Sequence, residues 1–123
     1  MNIGKGLIAW LEAELKLDAF WLERPEGVKR CCVYRCISPG TISGNLKSPG
    51  IKADTYSITV YHDDPDKGHA AAEIIRTKLN DFTGDLGGYP VQQIQPTGGF
   101  DQILNAEAGI KVYQFNRDLL INH

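Results

Sequence analysis

The sequence predicts an α+β fold: a mostly antiparallel or mixed β-sheet with two α-helices packed on one face. Three observations carry that expectation. Two segments repeat apolar residues at helical spacing, several others are rich in β-formers or alternate with a period of two, and the order runs helix, strands, helix, strands. With 123 residues the chain has room for one domain, 1–123, built on one core.

The first helix is read from Ile3, Leu7, Leu11 and Leu15 at four-residue steps, with Ile8 widening the stripe and Lys5, Glu12, Glu14 and Lys16 mostly on the other side. Asn2 is its candidate cap. The chain then leaves extended, with a short strand expected around Phe20 to Glu23 before Pro25 and Gly27 turn it. CCVYRCI, from Cys31 to Ile37, fits a pleated sheet and stops at the turn cluster Ser38, Pro39 and Gly40. Two Pro-Gly pairs between Pro39 and Gly50 predict a loop.

DTYSITVYH, Asp54 to His62, alternates cleanly and puts Tyr56, Ile58 and Val60 on a core face, with Thr55, Ser57, Thr59 and Tyr61 opposite. Asp63 or Asp64 then caps a second helix with Pro65 in its first turn, and Ala71, Ile75, Leu79 and Phe82 recur at the helical step. Gly84, Gly87 and Gly88 are expected to end that helix ahead of a short strand near Tyr89 to Gln95. Pro96 to Gly109 is expected as a second long loop. The closing strand, Ile110 to Ile121, sets Tyr113, Phe115, Leu119 and Ile121 on one face with Arg117 among them, and Gln114, Asn116 and Asp118 on the other.

Composition excludes several classes. Hydrophobic residues at 42% and charged ones at 23% are those of a globular chain, not a disordered or collagen-like one. Thirteen basic against fifteen acidic residues leave a net charge of -2, so no global attraction draws the chain to nucleic acid or anionic lipid. Apolar runs fall far short of the roughly 18 residues of a membrane span, and Glu12 and Glu14 interrupt any secretory signal, so a cytoplasmic protein is expected. Cys31, Cys32 and Cys36, crowded into one strand, are read as reduced thiols packing like small apolar residues.

Tests for chemistry mostly fail on spacing. In GTISG, Gly40 to Gly44, the serine sits one position too late for a nucleophile elbow. GDLGG, Gly84 to Gly88, follows a helix, whereas phosphate-binding glycines open one. Lys29, Arg30 and Arg35 with Tyr34 read as a solvated sheet edge in preference to a nucleic-acid patch. His62, Asp63, Asp64 and His69 are metal ligands in kind but not in spacing, and helix capping explains the carboxylates equally well. A small metal-dependent hydrolase using His62, Asp64 and His69 is the enzymatic alternative; no cofactor is expected.

The whole order resembles the tail terminator (tail-completion) and minor capsid proteins of long-tailed bacteriophages and prophages. The residues that carry the resemblance are the opening amphipathic helix, CVYRCI, DTYSITVYHDD, the alanine-rich AAAEIIRTKLNDF with GDLGG after it, and the closing GFDQILNAEAGIKVYQFNRDLLI. What the resemblance implies is a non-enzymatic virion subunit, assembled in the host cytoplasm into a hexameric ring. That ring would cap the tail-tube protein, stop its polymerisation and meet a head-neck connector protein; another neck or minor capsid protein is the alternative. A cyclic ring needs two different contact patches per subunit. The two expected loops are the candidate sites, with Ile42, Leu46, Ile103 and Leu104 as apolar contacts and Lys47 and Lys52 as steering charges.

Overall fold

The structure is a computed structural model and describes residues 2–42, 51–105 and 111–123. Helix α1, Ile3–Leu15, starts where expected, because the Asn2 side chain accepts the Lys5 N–H at 2.9 Å and so satisfies an orphan donor of the first turn. It ends at Lys16, in the left-handed conformation at φ 57°. Strand β1, Ala19–Trp21, pairs in parallel with β2, Cys31–Ser38. A parallel pair requires the connection to cross one face of the sheet. Here Leu22–Arg30 crosses the face opposite the helices, where the Arg24 guanidinium stacks 4.9 Å above the Tyr61 ring.

Strand β3, Thr41–Ile42, and β4, Ile51–His62, are antiparallel, so the expected loop from Pro39 begins with a short strand, and residues 43–50 lie outside those described. Helix α2, Pro65–Lys78, is capped by the Asp64 carboxylate, which accepts from the Asp66 and Lys67 N–H groups. Its end is not set by the glycines. Lys78 closes the helix, and Gly84 lies inside a strand, β5, Phe82–Leu86. Gly87 and Gly88, at φ 56° and 94°, make the two-residue turn that a hairpin with right-handed twist demands and lead into β6, Tyr89–Asn105. Strand β7, Lys111–Asn122, closes the chain.

The strands lie in the order β1-β2-β4-β7-β6-β5, all antiparallel except the first pair, with β3 beside β4. Both helices cover one face, as the sequence implied. Leu7 and Leu11 of α1, Ala72 and Ile75 of α2 and Leu79 just past its end are fully buried against Ile58, Val60, Leu119 and Ile121 of the sheet. The second face is polar but not open. Ser57, Thr59 and Asn116 are buried there, and the Asn116 amide donates to both hydroxyls, at 2.5 and 3.1 Å.

The principal correction concerns the second expected loop. Pro96 through Asn105 is strand, because β6 keeps pairing with β7 as far as Asn105 opposite Lys111; only residues 106–110 lie outside the description. Pro96 and the glycines that suggested a loop mark a bulge between Pro96 and Gly98. At that point β6 has already lost β5, whose last pairing is Phe82 with Ile94. Beyond it, β6 runs on as an edge arm paired on one side only, with β7, which itself stays paired with β4 as far as Tyr113.

Candidate interaction surfaces

The arm is positioned by one cation. Arg117 of β7 is 8% exposed on the helix face, and its guanidinium donates to Asp101 of β6 at 2.6 Å, to the Asn116 carbonyl at 2.7 Å and to Glu73 of α2 at 3.3 Å. Glu73 is shared with Arg76 at 2.8 Å, and Arg76 and then Arg117 hold its carboxyl below the usual range. Three elements thus meet at one charge cluster. Between α2 and the arm these side chains, with Asn80 and Phe100, border an open cleft of about 520 Å³. Nearer the arm's tip, Pro65, His69, Ile103, Tyr113 and Phe115 line a second, more apolar groove of about 380 Å³.

The sequence-derived contact residues separate. Ile103, 55% exposed, and Leu104, half-buried, lie near the end of the arm, though on a strand instead of a loop. Lys52 is an exposed β4 residue whose backbone pairs with His123 as well as with β3. Ile42 belongs to β3, but its side chain, and all of Leu46 and Lys47, lie outside the described residues. What the sequence did not single out are exposed apolar side chains at the other edge of the sheet, Trp21 and Leu22 at the end of β1 and Ile37 on β2, exposed by 65%, 57% and 48%. Phe100, 49% exposed, joins Ile103 on the arm. Four strand spacings, about 19 Å, separate β1 from β6.

The other candidates resolve into local roles. Cys31 and Cys32 are buried, and burial pushes the Cys31 thiol up to about 11, away from nucleophilic character; Cys36, expected to pack, is exposed. Arg30 is bound to Asp63 at 2.7 Å, and Tyr34 is buried in the core. Among the described residues no three His, Cys, Asp or Glu side chains converge on a metal-sized site. His62 accepts the Asp64 N–H on Nδ1 at 2.9 Å, Asp64 caps α2, and His69 stands edge-on to Phe115. His123, for which the sequence offered no partner, is buried with Nε2 2.7 Å from Asp54 and Nδ1 2.9 Å from the Tyr89 hydroxyl.

Burial, and after it the Arg30 charge, holds the His62 pKa below its ordinary 6.5 despite Asp63 and Asp64 nearby. A folded-state value below the unfolded one means that the unfolded chain binds the extra proton first. The stability His62 contributes as a neutral ring is therefore complete above about pH 6.5 and is lost as pH falls below it. His62→Asn keeps an acceptor for the Asp64 N–H and removes the titration. The gap in thermal midpoint between it and the parent is expected to change between pH 7 and 5, in the variant's favour, while His69 and His123 cancel from the comparison.

No protein-family model and no curated protein sequence matches the chain. Solved structures do share its fold. A chain from the virion of a native gene transfer agent particle superposes with a TM-score of 0.57 at 14% identity, over 92% of this chain and 84% of that one. A second solved structure gives a TM-score of 0.51 at 15% identity, over 98% of this chain and 91% of its own. Both likenesses run across nearly the whole length, so they describe the complete order of elements and not one motif. Among the described residues no helix is long and apolar enough to cross a membrane.

Proposed function

We propose that this protein is a structural subunit of a phage or prophage-like particle, a tail terminator that forms a ring, caps the tail tube and offers part of the surface joined by the head. The observation that carries the reading is that exposed apolar side chains stand at both edges of the sheet, Trp21, Leu22 and Ile37 on the β1–β2 side and Phe100 and Ile103 on β6. Unlike contact regions at opposite edges are what a head-to-tail contact repeated around a ring uses; a two-fold dimer needs only one self-complementary patch. The fold shared with a chain of a gene transfer agent virion supports placing such a ring in a virion. The hexameric count and the tail-tube partner rest on the family resemblance of the sequence.

Native mass by light scattering across a concentration series, followed by negative-stain imaging, tests the reading. Rings of fixed copy number are expected, and Ile103→Asp or Trp21→Asp is expected to reduce them to monomers with an unchanged thermal midpoint. A chain that stays monomeric at every concentration overturns the ring. Binding to connector rings in place of tube tips would move the subunit to the neck.

A further inference from the structure

An open cleft of about 340 Å³ lies at the first turn of α1, over the end of β1, the second half of β2 and the middle of β4. Trp21, Tyr34, Cys36 and Tyr56 line it on the sheet side, where Trp21 pairs across strands with Tyr34 and Cys36 with Tyr56. Its polar groups are donors. The Asn2 side chain takes the Lys5 N–H and the Asn2 carbonyl the Gly6 N–H, so the Ile3 and Gly4 N–H groups, at the positive end of the helix, have no partner within it. Tyr34 is only 7% exposed, yet its hydroxyl has no hydrogen-bond partner among the described residues. That hydroxyl stands against the first turn, where a Cβ on Gly4 would run into it. Burial raises Tyr34 above its ordinary 10 and Tyr56 to about 12, so both rings keep their protons and can donate. Asp54, whose charge acts on Tyr56, is itself held by His123 and the Gly40 N–H.

We propose that this cleft binds a carboxylate carried beside an apolar side chain on a segment of a partner protein. The carboxylate accepts from the Ile3 and Gly4 N–H groups and from the Tyr34 hydroxyl, and the apolar side chain packs on Trp21. Among the described residues no lysine or arginine lines the cleft, so it offers a carboxylate neutral donors and the helix end but lacks the cationic clamp that a phosphate calls for. The cleft is open, with Trp21 at its rim 65% exposed, and would leave much of a small molecule in water; a longer segment supplies the remaining contact. The site does not depend on the ring. Binding is measured on the free chain, so a chain that binds peptide and forms no rings overturns the ring alone.

Acetyl-Glu-Phe-amide and acetyl-Gln-Phe-amide, titrated at neutral pH into the isotope-labelled full chain and followed by amide shifts, make the test. The Glu peptide is expected to shift the Ile3 and Gly4 amides and the Trp21 indole with a dissociation constant of about 1 mM, and the Gln peptide to bind about tenfold more weakly. Tyr34→Phe removes a hydroxyl without a partner in the fold. It is expected to leave the thermal midpoint unchanged and to weaken the Glu peptide about fivefold. Equal binding of the two peptides overturns the carboxylate. Tighter binding of acetyl-Lys-Phe-amide overturns it too and makes Trp21, Tyr34 and Tyr56 a cage for a cation. Hydrocinnamate binding more tightly than the Glu peptide overturns the protein segment as the source. A lowered midpoint for Tyr34→Phe, or no shift at Ile3 and Gly4 with any probe, overturns the site.

Discussion

Gly99→Val is expected to release the outer part of β6 from β7 and to lower stability by about 3 kcal/mol, which is on the order of a 10 °C fall in thermal midpoint. Gly99 stands opposite Arg117 with φ at 144°, and a Cβ placed there would run into the Asn116 carbonyl and the Arg117 backbone. A β-branched side chain has no rotamer that avoids the clash, so either the strands separate or β7 shifts. Hydrogen exchange locates the damage. The amides between Phe100 and Leu104 that donate to β7 are expected to lose protection, whereas Val91 and Ile94, paired with β5 or buried in the core, keep theirs. Gly98→Ala is the control, because a Cβ there meets nothing within 4 Å. Equal loss from both variants would mean that glycine's general freedom, not the close approach, is what the arm needs.

That arm shows where sequence reasoning stops. Patterns local in the chain were legible: the Asn2 cap, a cap at Asp63 or Asp64 that falls to Asp64, Pro65 in the first turn of α2, and Tyr56, Ile58 and Val60 alternating into the core. Pro96, Gly98 and Gly99 were misleading because their turn-forming chemistry is used here to make a bulge and a tight crossing within a strand, and only the partner strand reveals that. Gly84 misled in the same way, since β5 is held by backbone pairing that leaves no side-chain pattern.

Features that depend on distant partners left no trace. His123 finds Asp54 and Tyr89, 69 and 34 residues away in the chain, by closing the sheet. Trp21 and Leu22 are exposed at the end of the edge strand β1, and Ile37 because β2 outruns its three residues. Exposure of that kind is a property of strand ends, and an apolar residue in a short strand reads the same whether a helix covers it or not. Ile103 is exposed, but it stands on a strand where a loop was expected. The likeness to solved structures is likewise one of fold, spread over nearly the whole chain at low identity.

Arg117→Ala is expected to cost about 2–3 kcal/mol, a loss readable by urea denaturation. The substitution removes a nearly buried guanidinium, leaves the Asn116 carbonyl without that donor and sets Asp101 and Glu73 free of their shared cation. The two carboxylates are themselves a third to a half exposed, so water screens their repulsion and keeps the cost below that of a fully buried broken pair. A double-mutant cycle with Asp101→Asn isolates the bond to the arm and is expected to give a coupling of about 1 kcal/mol that shrinks with added salt. Acid supplies an independent check. Glu73 titrates below its ordinary 4.5 in the fold, so its ion pairs stabilise the protein above that pH and are lost as pH falls through the lowered value. Removing Arg117 is expected to flatten this acid limb only in part, because Arg76, the larger cause of the shift, remains. If Arg117→Ala instead left stability untouched and abolished only ring formation, the cation would serve the neighbouring subunit and not the arm of its own chain.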